Sequence, residues 1–132
     1  MYRYLDRAIT ELSDGEQMVL RALRDWSVAV HRQRCPVDAV TLRFLSHRFI
    51  GGLEPFNEVL FLLSRHGRHR LELGCPCHPM ITEGEAMLMA LFFPERTDLR
   101  PQVAALAHPG HVARICERIG ELRAAMLVSG IA

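Results

Sequence analysis

Three side chains that bind soft metal ions or undergo redox chemistry lie within four consecutive residues of this sequence. They are Cys75, Cys77 and His78, in the stretch Gly74-Cys-Pro-Cys-His-Pro79, which two prolines stiffen. Thiolate sulfur and imidazole nitrogen are the usual zinc ligands. A disulfide between cysteines two residues apart would instead be strained and therefore labile. The stretch thus predicts either a metal site, with zinc as the candidate ion, or a redox-responsive thiol pair.

A structural zinc ion takes four ligands, so the turn needs further ligands from elsewhere in the chain. The candidates are Cys35, Cys116, His108 and His111. Familiar zinc motifs contain a second close pair of cysteines, and this sequence has none. The alternative for these residues is structural. A free cysteine packs readily into a core, and a histidine at a helix start is capping or solvated.

A basic cluster follows one predicted helix, in the stretch Arg65-His-Gly-Arg-His-Arg70. Arg65, Arg68 and Arg70 are candidates to bind an anion, such as a phosphate group. The alternative needs no ligand, because cations near a helix C-terminus interact favourably with the helix dipole.

The same region resembles a winged helix-turn-helix, with helices predicted at 36–48 and 53–67 and an extended piece after them. On the outward side of the second helix, Glu54 and Glu58 would repel DNA phosphates. We therefore rank DNA binding third among the functions considered, and nucleic acid is not an expected partner.

Composition excludes several classes of function. The chain has 132 residues, 49% of them hydrophobic, and a net charge of +1, so no strong overall field attracts it to nucleic acid or acidic membranes. All 16 basic residues are arginine. The absence of lysine rules out Schiff-base chemistry and a phosphate loop of the Walker type. No nucleophile-elbow or zinc-protease motif occurs, so we expect a protein that is not an enzyme.

The location is predicted from missing signals. The sequence shows no signal-peptide core, and its longest apolar run, 86–93, is far shorter than the roughly 20 residues that span a membrane. We expect a cytoplasmic protein with reduced cysteines and no membrane partner. The exclusive use of arginine is typical of GC-rich bacterial genomes.

Hydrophobic periodicity and capping signals predict an all-α fold, a compact helical bundle of about five to seven helices in one domain, 1–132. Ser13-Asp-Gly-Glu16 and Thr82-Glu-Gly-Glu85 are capping boxes. On the long helix after the first box, Arg24 is expected on the polar face. Residues 69–73 alternate polar and apolar and predict one short extended segment. The predicted helices are 2–11, 14–34, 36–48, 54–67, 83–93, one starting at Thr97-Asp98, and 108–128.

The helix at 83–93 is apolar in every direction, so it must be buried on all sides. It lies either at the centre of the monomer or between the core and a second copy of the chain. We predict the second arrangement, a two-fold homodimer, and with it a protein that acts through protein–protein contacts. The candidate contact residues are Phe61, Leu62, Met87, Met89 and Phe92.

Overall fold

The computed structural model describes residues 3–95 and 98–131. Tyr2 and Thr97, at which two of the predicted helices start, lie outside the described residues. Within these ranges the chain forms six α-helices, which confirms the predicted all-α fold. Three short 3₁₀ turns, Ile9–Glu11, Ile50–Gly52 and Pro109–His111, precede α1, α3 and α6. The helices are α1 Asp14–His31, α2 Pro36–Ser46, α3 Leu53–His66, α4 Glu83–Phe92, α5 Arg100–Leu106 and α6 Val112–Ser129.

Both predicted capping boxes are present at helix starts. The Ser13 hydroxyl accepts a hydrogen bond from the backbone N–H of Glu16, and the Glu16 carboxylate accepts one from the N–H of Ser13. Thr82 and Glu85 form the same reciprocal pair at the start of α4. These bonds satisfy backbone donors that the first helical turn leaves free.

Two predicted elements differ from the structure. Residues 3–11 form turns, an isolated β-bridge from Ala8 to Met80 and the 3₁₀ turn instead of a helix, because Asp6 has a left-handed backbone (φ 58°) and the chain then runs beside 79–81. There, Ile9 N–H donates to Pro79 O at 3.0 Å and Ile81 N–H donates to Arg7 O at 2.9 Å. The segment 69–73, predicted as a short extended piece, has no regular secondary structure and pairs with no strand in the described part of the chain.

α4 lies at the centre of the core. Leu88, Met89, Leu91 and Phe92 are each at most 2% exposed, and all belong to one cluster of buried residues that every helix joins. The Phe92 ring packs near the Phe56 ring of α3, with centroids 6.0 Å apart. Met89 and Phe92 are therefore core residues rather than surface contacts. The apolar character of this helix is explained within a single chain.

Charged contacts join α3 to α6. Arg118 of α6 is close to Glu54 of α3 at 2.9 Å, and Arg114 is close to Glu58 at 2.8 Å. The glutamates expected to repel DNA are thus paired with arginines of the same chain. Within the described ranges, no helix has the length and apolar composition needed to cross a membrane.

Candidate functional site: a thiol turn held by a buried ion pair

The Cys75–His78 segment is a tight turn on the surface. The backbone N–H of His78 donates to Cys75 O at 3.0 Å, which closes a β-turn with Pro76 in its second position. Proline presets the backbone angle required there. Cys75 and Cys77 are both exposed, and their Sγ atoms lie 3.5 Å apart. The turn therefore presents two neighbouring thiols to solvent.

Directly beneath the turn lies a fully buried ion pair. Arg24 of α1 and Glu85 of α4 are 1% and 0% exposed in their side chains. Two parallel contacts join them, Nε to Oε2 at 2.7 Å and Nη2 to Oε1 at 2.9 Å. This bidentate geometry is the strong form of an arginine–carboxylate interaction.

The ion pair also holds the backbone on both sides of the thiols. Before them, the N–H of Gly74 donates to Glu85 Oε2 at 2.8 Å. After them, Arg24 donates through Nη1 to His78 O at 2.6 Å and through Nη2 to Met80 O at 2.9 Å. The contacts of the buried pair thus fix the turn on both sides and join the two helices.

Glu85 connects the thiol turn to the start of α4. As the third residue of that helix, it also accepts a hydrogen bond from the N–H of Thr82 at 2.9 Å. Burial by itself would raise the pKa of Glu85. The hydrogen bonds from Arg24, Thr82 and Gly74, together with the charge of Arg24, hold the pKa below its ordinary value.

Sequence reasoning identified Glu85 only as a capping residue and placed Arg24 on the polar face of its helix. One signal was available: Arg24 follows the buried Leu20 by four residues, a spacing that puts both on one helix face. No local pattern indicates that its partner lies 61 residues away.

Cys75 differs from an ordinary cysteine in acidity as well as in exposure. The hydrogen bond with Cys77 lowers the pKa of Cys75, and backbone N–H groups of the turn act in the same direction. By contrast, burial raises the pKa of Cys116, which is partly covered on α6. Because the thiolate is the reactive form, Cys75 is the thiol best suited to nucleophilic or redox chemistry.

The predicted metal ligands do not come together around this turn. In residues 3–95 and 98–131, no group of three or more Cys, His, Asp or Glu side chains is arranged to hold a metal ion. Nδ1 of His78 is in contact with the backbone of Met80, 2.8 Å from the carbonyl oxygen. His111 stacks on the His66 ring with centroids 3.7 Å apart, a partner that sequence reasoning missed. His108 is exposed and makes no side-chain cap at its helix start.

Cys35 borders a cavity that the turn also lines. It is exposed at the N-terminus of α2, and it lines a surface cavity of about 550 Å³ together with Pro76 of the turn. The described residues thus place two thiols in contact and a third on the same side of the molecule.

The predicted anion-binding arginines separate into two groups. Arg65 lies over the Phe61 ring, 4.5 Å from its centroid. Arg68 and Arg70 instead line a cavity of about 440 Å³, and Arg68 Nε donates to Ala107 O at 3.0 Å.

Of the remaining contact candidates, Phe61 is 43% exposed, whereas Leu62 and Met87 are partly buried against the core. Exposed apolar side chains that sequence reasoning missed lie on α2 and after it, where Leu42 is 74%, Leu45 53% and Ile50 48% exposed.

Taken together, the geometry supports dithiol chemistry at a fixed surface turn. Two thiolates can share a soft metal ion or be oxidised to a disulfide, and the ion pair keeps their backbone in place for either reaction.

Comparison of the chain with protein-family models, with curated proteins and with solved structures finds no match.

Proposed function

We propose that the protein is a redox-responsive thiol protein whose working group is the Cys75–Cys77 dithiol. The observation that carries the proposal is the 3.5 Å separation of two exposed sulfur atoms on a turn that a buried ion pair holds from both sides. Exposure gives an oxidant access, and the neighbouring thiol supplies the resolving group that redox-sensing cysteines require. In a bacterial cytoplasm the resting state would be the dithiol.

The oxidant is a small disulfide, RSSR. The Cys75 thiolate attacks one sulfur of RSSR, so an S–S bond forms to Cys75 and RS⁻ leaves. The Cys77 thiolate then attacks the Cys75 sulfur and expels the second RS⁻. The protein loses two electrons and the protons of both thiols, and these reduce RSSR to two RSH.

The position of the turn explains how oxidation would be sensed by the rest of the molecule. The sulfur atoms must approach from 3.5 Å to bonding distance, which changes the turn between Gly74 and His78. Both residues are hydrogen-bonded to the ion pair that joins α1 to α4. Oxidation therefore acts on a contact inside the core and not only at the surface.

The test uses a chain in which Cys35→Ser and Cys116→Ser leave only the paired thiols. Incubation with glutathione disulfide, followed by mass spectrometry of the intact protein, should give a species that has lost two hydrogen atoms and carries no glutathione. The matched control adds Cys77→Ser and should stop at the mixed disulfide on Cys75. The proposal is wrong if the two-thiol chain also accumulates mixed disulfides or only forms disulfide-linked dimers.

A second candidate function is contact between protein chains through a homodimer. The observation that favours it is the exposed apolar surface of Leu42 and Leu45, which lie three residues apart on one face of α2, with Ile50 following. This surface differs from the one expected from the apolar α4.

A further inference from the structure

A cavity of about 440 Å³ lies between α1, α3 and the non-helical segment 67–73. Its volume is within the range of roughly 300–1,000 Å³ that small-molecule sites occupy. Buried apolar side chains from three helices line it, namely Trp26, Leu60, Leu63 and Leu88. An apolar part of a ligand would therefore be desolvated there.

The ionisable side chains of the lining are all basic. His31, Arg68, His69 and Arg70 all line the cavity, and no acidic side chain of the described residues does. Two of the four are arginines, which stay charged throughout the physiological range. The terminal nitrogens of Arg68 have no hydrogen-bond partner among the described residues, since only its Nε is engaged, by Ala107 O.

The segment that forms one wall is held at both ends. At its start, Arg68 N–H donates to Leu106 O at 2.8 Å, and near its end Thr82 Oγ1 donates to Glu72 O at 3.0 Å. Between these points, His69, Arg70 and Leu71 form no backbone hydrogen bond within the described part of the chain. The wall is thus positioned by its ends, and its backbone N–H groups are free to donate.

We propose that this cavity binds a small organic anion with an apolar body, of the class of medium-chain or aromatic carboxylates. The buried leucines and Trp26 would cover the apolar body, and Arg70 and Arg68 would bind the carboxylate. An inorganic anion would leave the apolar lining unused, and a neutral or cationic amphiphile would leave the arginines unpaired. This proposal is independent of the thiol turn.

Trp26 supplies a direct readout, because it is the only tryptophan of the chain and lines the cavity. Its Nε1 donates to Asn57 Oδ1 at 2.9 Å, so the indole has one defined position. Titration of the full chain with octanoate should change the Trp26 emission saturably, and calorimetry should give the same affinity. Acetate and octylammonium, each lacking one feature of the proposed ligand, should produce no saturable change.

Variants distinguish binding inside the cavity from attraction of octanoate to positive charge elsewhere on the surface. Arg70→Gln should weaken octanoate binding by about tenfold, the effect of losing one charge-assisted hydrogen bond. Arg65→Gln removes a neighbouring arginine that does not line the cavity, and it should leave the affinity within about twofold of the wild type. Ser27→Phe should abolish binding by filling the cavity, with an unchanged circular dichroism spectrum showing that the fold is kept.

The proposal is overturned if octanoate fails to bind at millimolar concentration, if octylammonium binds as well as octanoate, or if Arg65→Gln weakens binding as much as Arg70→Gln. It is also overturned if a folded Ser27→Phe variant binds octanoate with wild-type affinity, since binding would then be outside the cavity.

Discussion

The guanidinium of Arg24 and the carboxylate of Glu85 meet inside the core and together hold the backbone on both sides of the Cys75–Cys77 turn. Burying two charges has a desolvation cost that their attraction offsets only with excellent geometry and further hydrogen bonds. Both conditions are met here, because backbone groups of Gly74, His78 and Met80 complete the contacts.

Removing one member of this pair should destabilise the protein strongly. Arg24→Met leaves the Glu85 carboxylate buried without its partner, so we expect a loss of about 3–5 kcal/mol in the free energy of unfolding, measured by urea denaturation. The matched control is Arg43→Met, which removes the partly exposed pair with Asp25 and should cost about 1 kcal/mol or less. If both variants lose the same small amount of unfolding free energy, the buried pair stabilises the fold no more than a surface pair does.

Acid should weaken the fold through Glu85. Its pKa is lowered in the folded state, so its stabilisation is fully present above its unfolded pKa and is lost as the pH falls through the lower folded value. We expect the free energy of unfolding to fall below about pH 4, and the Glu85→Gln variant to show a flatter acid dependence. The exposed Glu117→Gln variant is the control and should follow the wild type. If the free energy of unfolding falls with pH in the same way for Glu85→Gln and the wild type, Glu85 is not the source of the acid dependence.

The two kinds of cysteine should react at different rates. At neutral pH we expect iodoacetamide to modify Cys75 faster than Cys116, because the pKa of Cys75 is lowered and that of Cys116 is raised. The Cys77→Ser substitution should slow the modification of Cys75, since the hydrogen bond with Cys77 is the main cause of the lowered pKa of Cys75. Peptide mass mapping over time measures each site. If Cys75 is modified at the same rate in the wild type and in Cys77→Ser, the hydrogen bond with Cys77 does not lower its pKa.

Zinc binding stays a prediction, and the number of zinc ions per chain tests it. One chain offers two adjacent thiols, and a structural zinc ion takes four ligands. We therefore expect any bound zinc to join two chains, with one ion per two chains in elemental analysis of protein purified without chelator. The Cys75→Ser/Cys77→Ser variant should hold none. If the wild type retains neither zinc nor iron, and adding either leaves its melting temperature unchanged, the metal hypothesis fails.

The homodimer should depend on the exposed face of α2. Under reducing conditions, Leu42→Glu and Leu45→Glu should shift the mass in sedimentation equilibrium toward the 15.0 kDa of one chain. Val128→Glu is the control, since Val128 is 90% exposed but lies on α6. A wild-type mass of 15.0 kDa that does not rise with concentration would exclude the dimer.

The sequence by itself determined where most of the helices lie and that a turn carries Cys75 and Cys77. Capping boxes, prolines at helix starts and apolar spacing act between residues three or four apart, so their effects are local. The start of α4 at Glu83 and the burial of most of its side chains follow from such signals. The early helix expected at 2–11 failed because contacts with 79–81, distant in sequence, position that segment.

Only the tertiary structure decided what surrounds the turn and the cavity. Arg24 and Glu85 are 61 residues apart, and the cavity takes its walls from α1, α3, α4 and the non-helical segment 67–73. An arginine has the same local pattern whether it lies in water or in a core. Its burial depends on whether folding brings a carboxylate and backbone carbonyls within reach, because a charge is buried only when such partners offset its lost hydration.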